Sequence, residues 1–456
     1  MNDNALKRSA LLIAVLAAFL TPFMVSSINI ALPAIGREFN MSAVALSWIP
    51  TAYLLAAAVF LVPFGRIADI YGRKKIFFYG ISLYTLSALL LAFSPTASLL
   101  IAFRVLEGVG GAMIFGTGMA IVTSVFPPGE RGRVLGINVA AVYLGLSLGP
   151  FLGGFLTHQF GWRSIFLVNI PLGLLVIYLL LTKLHGEWAG SRGEKFDRAG
   201  SVIYGIALVA LMEGLSRLPA RSGAWLILAG ISGAALFIGW ERKVESPLLD
   251  MNLFIGNAAF AFSNLAALIN YSATFAVGFL LSLYLQYIKG FTPQHAGLIL
   301  VAQPVVMVIF SPSAGKLSDK IEPRIVASIG MAFAAAGLFL FTFLNMDTHL
   351  WFIVSGFVLL GFGFALFSSP NTNAVMSSID KRFYGVGSAT LGTMRLTGQM
   401  LSMGIAMLIF SVHIGSARIT PENYPLFLKS VRTAFSIFAV LCFAGIFASL
   451  ARGKVR

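Results

Sequence analysis

The chain has 456 residues, a length that in a soluble protein corresponds to about two to four domains. Its composition excludes a soluble globule, because 58% of the residues are hydrophobic and only 11% are charged, whereas typical soluble domains are about 25% charged. Disordered chains are poor in apolar residues and are excluded as well. The single cysteine, Cys442, excludes a disulfide scaffold.

Long apolar segments recur along the whole chain. Runs of about 18 or more apolar residues predict transmembrane helices, whereas the strands of a membrane barrel would appear as short alternating segments. The predicted fold class is therefore an all-α polytopic membrane protein with fourteen spans. The runs centre near residues 10–32, 46–65, 76–95, 98–122, 134–157, 164–183, 199–217, 224–240, 258–284, 296–314, 324–344, 350–371, 385–410 and 431–451.

Basic residues indicate the orientation of these spans. The net charge is +15, and nucleic-acid binding is one explanation for such a charge. Most of the 32 Lys and Arg residues, however, fall in loops on the same side as the N-terminus, which is typical of cytoplasmic loops. We therefore predict a multi-pass protein of the cell inner (plasma) membrane with both termini cytoplasmic and no nucleic-acid partner.

A short loop sequence occurs twice. Residues Gly65–Lys75 and Gly315–Arg324 both read glycine, basic, aliphatic, small, aspartate, with a basic residue a few positions later. An internal repeat in a polytopic membrane protein is typical of transporters. The copies are further apart than six short-looped helices would place them, which indicates two additional helices between two six-helix halves. The predicted units are an N-terminal six-helix bundle (1–183), the two additional helices with their links (184–256) and a C-terminal six-helix bundle (257–456).

Further motifs lie on individual spans. Together with the repeated loop, they resemble the major facilitator superfamily, specifically its fourteen-span drug:proton antiporter branch of multidrug efflux transporters. The resemblance implies a 6+2+6 arrangement of helices with two pseudo-symmetric six-helix halves. It also implies a monomeric protein, surrounded by membrane lipids, that transports a small-molecule substrate and protons and has no cofactor or metal. The motifs are Asn29–Pro33, Leu100–Ala112, Gly145–Gly154, Gly161–Pro171, Leu283–Gln286 and Ser369–Asn373.

The resemblance gives the first loop the role of a cytoplasmic gate. Gly65 and Gly72 allow a tight turn and close helix approach. Asp69 can accept hydrogen bonds at a neighbouring helix N-terminus, and Arg73 can pair with a carboxylate across the two halves. In the family, this cluster holds the cytoplasmic side shut in the outward-facing state. The alternative is a basic loop that sets topology alone, and Asp319 in the second copy is either a gate residue or a plain turn residue.

The fifth span carries a segment similar to the family's antiporter motif. Gly145, Gly149 and Gly153 recur every four residues, so they share one helix face and admit a close partner helix. Pro150 removes one backbone hydrogen bond and bends the helix, and Gly154 completes the motif. The residues alone predict small-residue packing, and the resemblance adds a role in antiport.

Two ionisable residues lie inside the fourth span, where charges are costly and mark functional sites. Arg104 and Glu107 are three residues apart and can pair on one helix face. The family branch usually carries an aspartate in the first helix, where this sequence has Met24. One hypothesis is that Glu107 takes over proton coupling and that Arg104 tunes it. The alternatives are a self-neutralising structural pair, or proton coupling that is altered or lost.

Polar residues along several spans are candidates for a central substrate cavity. Arg395 lies midway along the thirteenth span with no acid near it in sequence, so its partner is on another helix or on a substrate. Ser26, Asn29, Asn138 and Asn264 are the other candidates. Each of these four is alternatively a hydrogen-bonding contact between helices.

These observations predict a secondary active transporter and not an enzyme. The expected function is proton-coupled export of small hydrophobic or amphipathic compounds, such as drugs and toxic organics, by alternating access. The alternative is a lipid or metabolite exporter or flippase of the same fold, with altered or absent proton coupling. The sequence lacks metalloprotease and nucleophile-elbow motifs, which disfavours an enzyme, and it lacks a phosphate-binding loop, which disfavours a nucleotide-driven pump.

Overall fold

The protein is described by a computed structural model that covers residues 3–380 and 384–453. The described chain forms long helices joined by short connections. The first eight are α1 (Asp3–Glu38), α2 (Ala43–Tyr71), α3 (Arg73–Ala92), α4 (Ala97–Val125), α5 (Pro128–Phe160), α6 (Arg163–Lys183), α7 (Arg198–Arg217) and α8 (Arg221–Glu241). The others are α9 (Ala258–Thr274), α10 (Ala276–Leu283), α11 (Pro293–Leu300), α12 (Ala302–Ser318), α13 (Pro323–Phe341), α14 (Leu350–Ser377), α15 (Tyr384–His413) and α16 (Tyr424–Ala451).

Fourteen segments of these helices are long and apolar enough to cross a membrane, which confirms the predicted all-α fold class. Several helices extend beyond the apolar runs seen in the sequence. α1 continues to Glu38 and α2 continues to Tyr71. A helix satisfies its backbone hydrogen bonds internally, so it does not have to end where the apolar run ends.

Two of the membrane crossings are interrupted. The ninth crossing consists of α9, α10 and a π-helical turn at Tyr284–Ile288, with a break at Phe275. The buried Ser402 hydroxyl accepts a hydrogen bond at 3.0 Å from the Ala276 backbone N–H just after this break. The tenth crossing is interrupted at Val301, between α11 and α12. Irregular backbone inside a membrane bundle is tolerated where protein groups satisfy it.

The first six membrane crossings (α1 to α6) and the last six (α9 to α16) pack in the same pattern. In the first set, α1 lies along α5, both α2 and α3 pack on α4, and α3 also packs on α6. In the last set, α9 lies along α15, both α12 and α13 pack on α14, and α13 also packs on α16. A duplicated six-helix unit would produce this repeated pairing. The exact boundaries between the units stay predictions.

The two additional helices form a hairpin beside the two bundles. α7 and α8 pack on each other, and α7 also contacts α2 and α15. The Tyr204 hydroxyl on α7 donates a hydrogen bond to the Ala58 carbonyl oxygen of α2 at 3.2 Å. Met212 and Leu215 of α7 lie against Gly404 of α15. The hairpin therefore contacts both bundles.

The two bundles pack side by side along α2 and α15, and the hydrogen bonds between them lie toward one end of the molecule. Because the chain crosses an even number of times, both termini lie at one end, which we call the terminal end; the opposite end is the distal end. At and toward the distal end, hydrogen bonds connect the first bundle to the second. These are Ser282 Oγ to Asn29 O (2.6 Å), Gln286 Nε2 to Ile30 O (3.0 Å), Arg418 Nη1 to Asn40 Oδ1 (2.9 Å) and Ala43 N to Ala417 O (3.2 Å).

Candidate functional site

Two side chains of α4 form a fully buried ion pair. Arg104 Nη1 donates to Glu107 Oε2 at 2.5 Å, and neither side chain has exposed surface. Arg104 Nε also donates to the Ile49 carbonyl oxygen of α2 at 3.1 Å, and its guanidinium lies 4.6 Å from the centroid of the Tyr53 ring. The structure thus brings the two residues together inside the first bundle, between α4 and α2.

Part of the hydrogen-bonding capacity of this pair is unused. Glu107 Oε1, Arg104 Nη2 and the Tyr53 hydroxyl are buried and have no hydrogen-bond partner among the described residues. The helices meet closely here, because a Cβ on Gly108 would lie only 2.4 Å from the Tyr53 carbonyl oxygen. Met24 is also fully buried. Unpaired polar atoms in an interior are costly, so their presence at an ion pair calls for a functional explanation.

The first copy of the repeated loop is mostly helical. Gly72, with a φ of 122°, is the single residue between α2 and α3. The positive φ favours glycine at this turn, whereas a Cβ on Gly72 would meet only the side chain of the exposed Glu187, 2.5 Å from its carboxyl carbon. Gly65 lies inside α2, and a Cβ there would have no neighbour within 4 Å. The backbone conformation therefore favours glycine at Gly72, whereas Gly65 is an ordinary helical position next to Gly116 of α4.

Asp69 and Arg73 form a network within the first bundle. Arg73 Nε donates to Asp69 Oδ1 at 2.8 Å. Arg73 Nη1 donates to Ser124 Oγ at 2.7 Å and to the Ala120 carbonyl oxygen at 3.2 Å. These bonds tie the turn between α2 and α3 to the last turns of α4. The gate role, which needs a partner in the second bundle, stays a prediction.

The link between α6 and α7 contacts this network. Glu187 accepts a hydrogen bond from the Lys74 backbone N–H at 2.8 Å. Glu194 forms an ion pair with Arg66, whose Nη1 also donates to Ser191 Oγ at 3.2 Å. Sequence reasoning missed both glutamates, although two acids in a short segment next to a basic loop were the available signal.

The second copy of the loop also joins helices of its own bundle. Asp319 lies at the end of α12. Asn373 Nδ2 on α14 donates to Ser318 Oγ at 3.1 Å and lies 3.5 Å from Asp319 Oδ1. The first copy therefore connects a turn to α4, and the second copy connects a turn to α14. Each of these helices is the fourth membrane crossing of its bundle.

The glycines of the antiporter motif face α1 on one side of α5. A Cβ on Gly153 would lie 2.8 Å from Ser27 Cβ, and a Cβ on Gly145 would lie 2.6 Å from the Phe19 carbonyl oxygen. Gly149 lies against α1 in the same way. This stripe packs within the first bundle, as its spacing indicates.

The other side of the motif faces the second bundle. A Cβ on Gly154 would lie 2.5 Å from the Pro293 carbonyl oxygen at the start of α11. Reciprocally, a Cβ on Gly297 of α11 would lie 2.2 Å from the Pro150 carbonyl oxygen. The motif therefore forms part of the contact that closes the distal end. Gly297 was not identified from the sequence.

Four of the candidate cavity residues lie in contacts between or within helices. Ser26 Oγ donates to the Pro22 carbonyl oxygen at 2.8 Å. Asn264 is fully buried, Asn29 is 9% exposed, and Asn138 Nδ2 lies 3.7 Å from a methionine sulfur. The short hydrogen bonds of Ser26 and Asn264 run to carbonyl oxygens four residues earlier in their own helices. Their contact with substrate stays a prediction.

Arg395 occupies a different environment, midway along α15. Its Nη2 donates to Thr372 Oγ1 on α14 at 2.7 Å, and its guanidinium lies 5.8 Å from the centroid of the Tyr271 ring on α9. Its Nε is buried without a hydrogen-bond partner among the described residues, while the residue as a whole is partly exposed.

A second arginine, Arg452, is buried near the terminal end and was not identified from the sequence. It is 1% exposed and donates to Ser263 Oγ at 3.2 Å and to Asn371 Oδ1 at 3.1 Å. Burial, together with the nearby Arg324, lowers the pKa of Arg452 to about 10, so it stays charged at neutral pH. It fastens the end of α16 to α9 and α14.

A bundle of fourteen membrane-long helices with a duplicated packing pattern is typical of polytopic membrane transporters. The sequence profile of the Major Facilitator Superfamily matches residues 14–263 and 263–455. The chain therefore belongs to the Major Facilitator Superfamily, and it is a multi-pass membrane transporter rather than an enzyme.

Named relatives confirm the resemblance to multidrug efflux transporters. The multidrug resistance protein Stp of Mycobacterium tuberculosis (strain CDC 1551 / Oshkosh) is 31% identical over 385 residues, which are 83% of this chain and 71% of that protein. The tetracenomycin C resistance and export protein of Streptomyces glaucescens is 27% identical over 85% of this chain and 73% of that protein. The riboflavin transporter RibZ of Clostridioides difficile (strain 630) is 28% identical over 96% of this chain and 95% of that protein.

Solved structures confirm the fold. A bacterial homologue of the human lysosomal transporter Spinster, in an inward-facing and unoccupied conformation, matches with a TM-score of 0.71 at 16% identity. That match covers 98% of this chain and 97% of that chain. A peptide transporter, POT, in complex with sulfate matches with the same TM-score at 15% identity, over 97% of this chain and 98% of that chain.

Proposed function

We propose that this transporter exports small hydrophobic or amphipathic compounds across the cell inner (plasma) membrane, coupled to protons, with both termini cytoplasmic. The observation that carries the proposal is the buried pair of Arg104 and Glu107, in which one carboxylate oxygen is free. A protonatable carboxyl in the membrane interior is typical of proton-coupled transport. The multidrug resistance relatives support the substrate class.

The two bundles would work by alternating access. In the proposed orientation, the closed distal end faces outside, so the substrate reaches the protein from the cytoplasm. The reverse state opens the distal end and closes the terminal end. In that state, Asp69 and Arg73 exchange some of their present contacts for partners in the second bundle.

Proton binding at Glu107 would be coupled to this change through α2. A proton on Glu107 removes the charge that holds Arg104. The contacts of Arg104 with Ile49 and Tyr53 would then adjust, and both of these residues belong to α2. α2 also contacts α15 of the second bundle. Coupling follows if the two protonation states favour different conformations, because a ligand shifts an equilibrium only by its differential affinity.

A metabolite or lipid exporter with altered proton coupling is the second candidate. The specific observations that favour it are the apolar, fully buried Met24 and the relative that is a riboflavin transporter. On this alternative, Arg104 and Glu107 form a permanent structural pair and the transported compound is not a toxic organic.

The decisive experiment is transport by purified protein in liposomes with an imposed pH gradient, using cationic, neutral and anionic fluorescent compounds. We expect the gradient to drive transport in the wild type. Glu107→Gln should lower gradient-driven transport by about tenfold or more, because it cannot exchange a proton, while downhill transport without a gradient continues.

Glu213→Gln is the matched control, because Glu213 pairs with Arg217 at 2.7 Å on α7 but is partly exposed near a helix end. It should retain the response to the pH gradient. If Glu107→Gln keeps the wild-type response, Glu107 is not the coupling acid. If the wild type ignores the gradient and transports a compound downhill, proton coupling is absent, as the second candidate requires.

A further inference from the structure

The middle of the membrane bundle carries a positive charge that the protein does not offset. Arg395 donates to the neutral hydroxyl of Thr372, and no carboxylate of the described residues forms an ion pair with it. The other two charges deep within the spans, Arg104 and Glu107, neutralise each other. The interior of the transporter is therefore net positive at Arg395.

The guanidinium of Arg395 also has free capacity to bind. Its Nε has no acceptor among the described residues, although it is buried. Five N–H donors in a planar fork match the oxygens of a carboxylate, sulfonate or phosphate. A buried donor without an acceptor is costly, and a bound anion would remove this cost. A cation placed beside Arg395 would instead be repelled in a medium of low dielectric constant.

A pair of aromatic rings lies on one side of this charge. The rings of Tyr271 and Phe364 are perpendicular with centroids 5.3 Å apart, and the guanidinium of Arg395 lies over Tyr271. Gly392, three residues before Arg395 and on the same face of α15, lies beside α2, because a Cβ on Gly392 would lie 3.7 Å from a side-chain carbon of Leu61. Because α2 belongs to the first bundle and α15 to the second, this part of α15 lies between the bundles, where a transported compound would have to bind.

We infer that Arg395 is the specificity-determining residue of the substrate site, and that the site selects amphipathic organic anions with an acidic group on a planar aromatic body. The acidic group binds the fork of Arg395, and the aromatic body packs against Tyr271 and Phe364. The inference rests on the proposed function for the direction of transport, but anion selection itself does not depend on proton coupling.

The test compares three naphthalene compounds that differ in charge at one position: 2-naphthoate, neutral 2-naphthamide and the cation 2-(aminomethyl)naphthalene. Equilibrium binding to the full-length protein in detergent is measured by fluorescence. We expect the wild type to bind 2-naphthoate about tenfold more tightly than 2-naphthamide and the cation least tightly. Arg395→Gln should remove the preference for the anion while leaving naphthamide binding within about twofold.

Two further variants separate charge from folding. Arg395→Lys keeps the charge but loses the fork, so it should retain part of the preference for 2-naphthoate. Arg432→Gln removes an exposed arginine of α16 and should leave the preference unchanged. A single symmetric size-exclusion peak and the retained naphthamide binding show that each variant is folded.

The outcomes distinguish this inference from the proposed function. If the wild type prefers the cation, if it binds none of the three compounds, or if Arg395→Gln keeps the anion preference, the inference is overturned. Transport driven by a pH gradient can still be observed in each of these cases. Conversely, if no gradient drives transport but Arg395→Gln removes the anion preference, the inference holds and proton coupling fails.

Discussion

Closure of the distal end depends on a contact that has no room for a side chain. Gly297 of α11 lies against the backbone of α5, and a Cβ at this position would lie 2.2 Å from the Pro150 carbonyl oxygen. The obstructing atom belongs to the backbone of the other bundle, so a side-chain rotation cannot relieve the overlap. Gly297→Ala should therefore separate the two bundles at the distal end.

The size of the effect follows from the geometry. Ordinary van der Waals contact begins at about 3.4 Å, so the helices must move apart by about 1 Å. Overpacking of this kind costs about 1–3 kcal/mol. Because the contact exists only in the distal-closed state, the cost falls on that state alone. It shifts the equilibrium toward the distal-open state by about 5- to 150-fold.

Distances between spin labels on the two bundles would measure this shift. Phe160 and Met346 are exposed, lie at the distal end and belong to different bundles. Cysteines at these two positions, in a background where the buried Cys442 is replaced by alanine, carry the labels for double electron–electron resonance. Gly297→Ala should increase the population with the longer distance.

The control is a glycine of the same motif that packs within one bundle. Gly153→Ala places a Cβ 2.8 Å from Ser27 Cβ of α1. It should lower stability without changing the label distances, because the contact is internal to the first bundle. An unchanged distance distribution in folded Gly297→Ala would refute the reasoning, as would an equal shift in Gly153→Ala.

Two more predictions concern the terminal end. Asp69→Asn should lower the transport rate severalfold, while its unfolding free energy should change by less than about 1 kcal/mol because the ion pair with Arg73 is partly exposed. Transport assays should show no such loss for the control Lys75→Gln. An unchanged transport rate in Asp69→Asn would exclude the gate role of this residue. Arg452→Ala should lower stability by about 1–3 kcal/mol because it leaves Asn371 Oδ1 without its hydrogen-bond donor. Thermal unfolding of the purified protein should show no comparable loss for the control Arg432→Ala. Equal unfolding midpoints for Arg452→Ala and Arg432→Ala would contradict an anchoring role for Arg452.

Much of the fold could be predicted from the sequence because the membrane restricts the alternatives. An apolar run of sufficient length has to form a helix when no water is present to bind its backbone. The number of spans, the repeated loop and the two additional helices therefore followed from local patterns. The spacing of Arg104 and Glu107 likewise predicted a pair, since residues three apart lie on one helix face.

Contacts between distant parts of the chain could not be predicted in this way. The spacing of Gly145, Gly149 and Gly153 indicated a packed face, but not that α1 would be the partner. Nothing local in the sequence distinguished Gly297 from the other glycines. Its importance comes from Pro150, which reaches it only when the two bundles meet.

Arg395 likewise shows what could be predicted from the sequence and what required the tertiary structure. The sequence by itself established an arginine in the middle of a span, with no acid nearby along the chain. Only the tertiary structure decided that Thr372 and Tyr271, rather than a carboxylate, are its neighbours. Hydrophobic length and helical period act over a few turns and can be read along the chain. Whether a charge is neutralised depends on which helices lie within a few ångströms, and that is decided by packing in three dimensions.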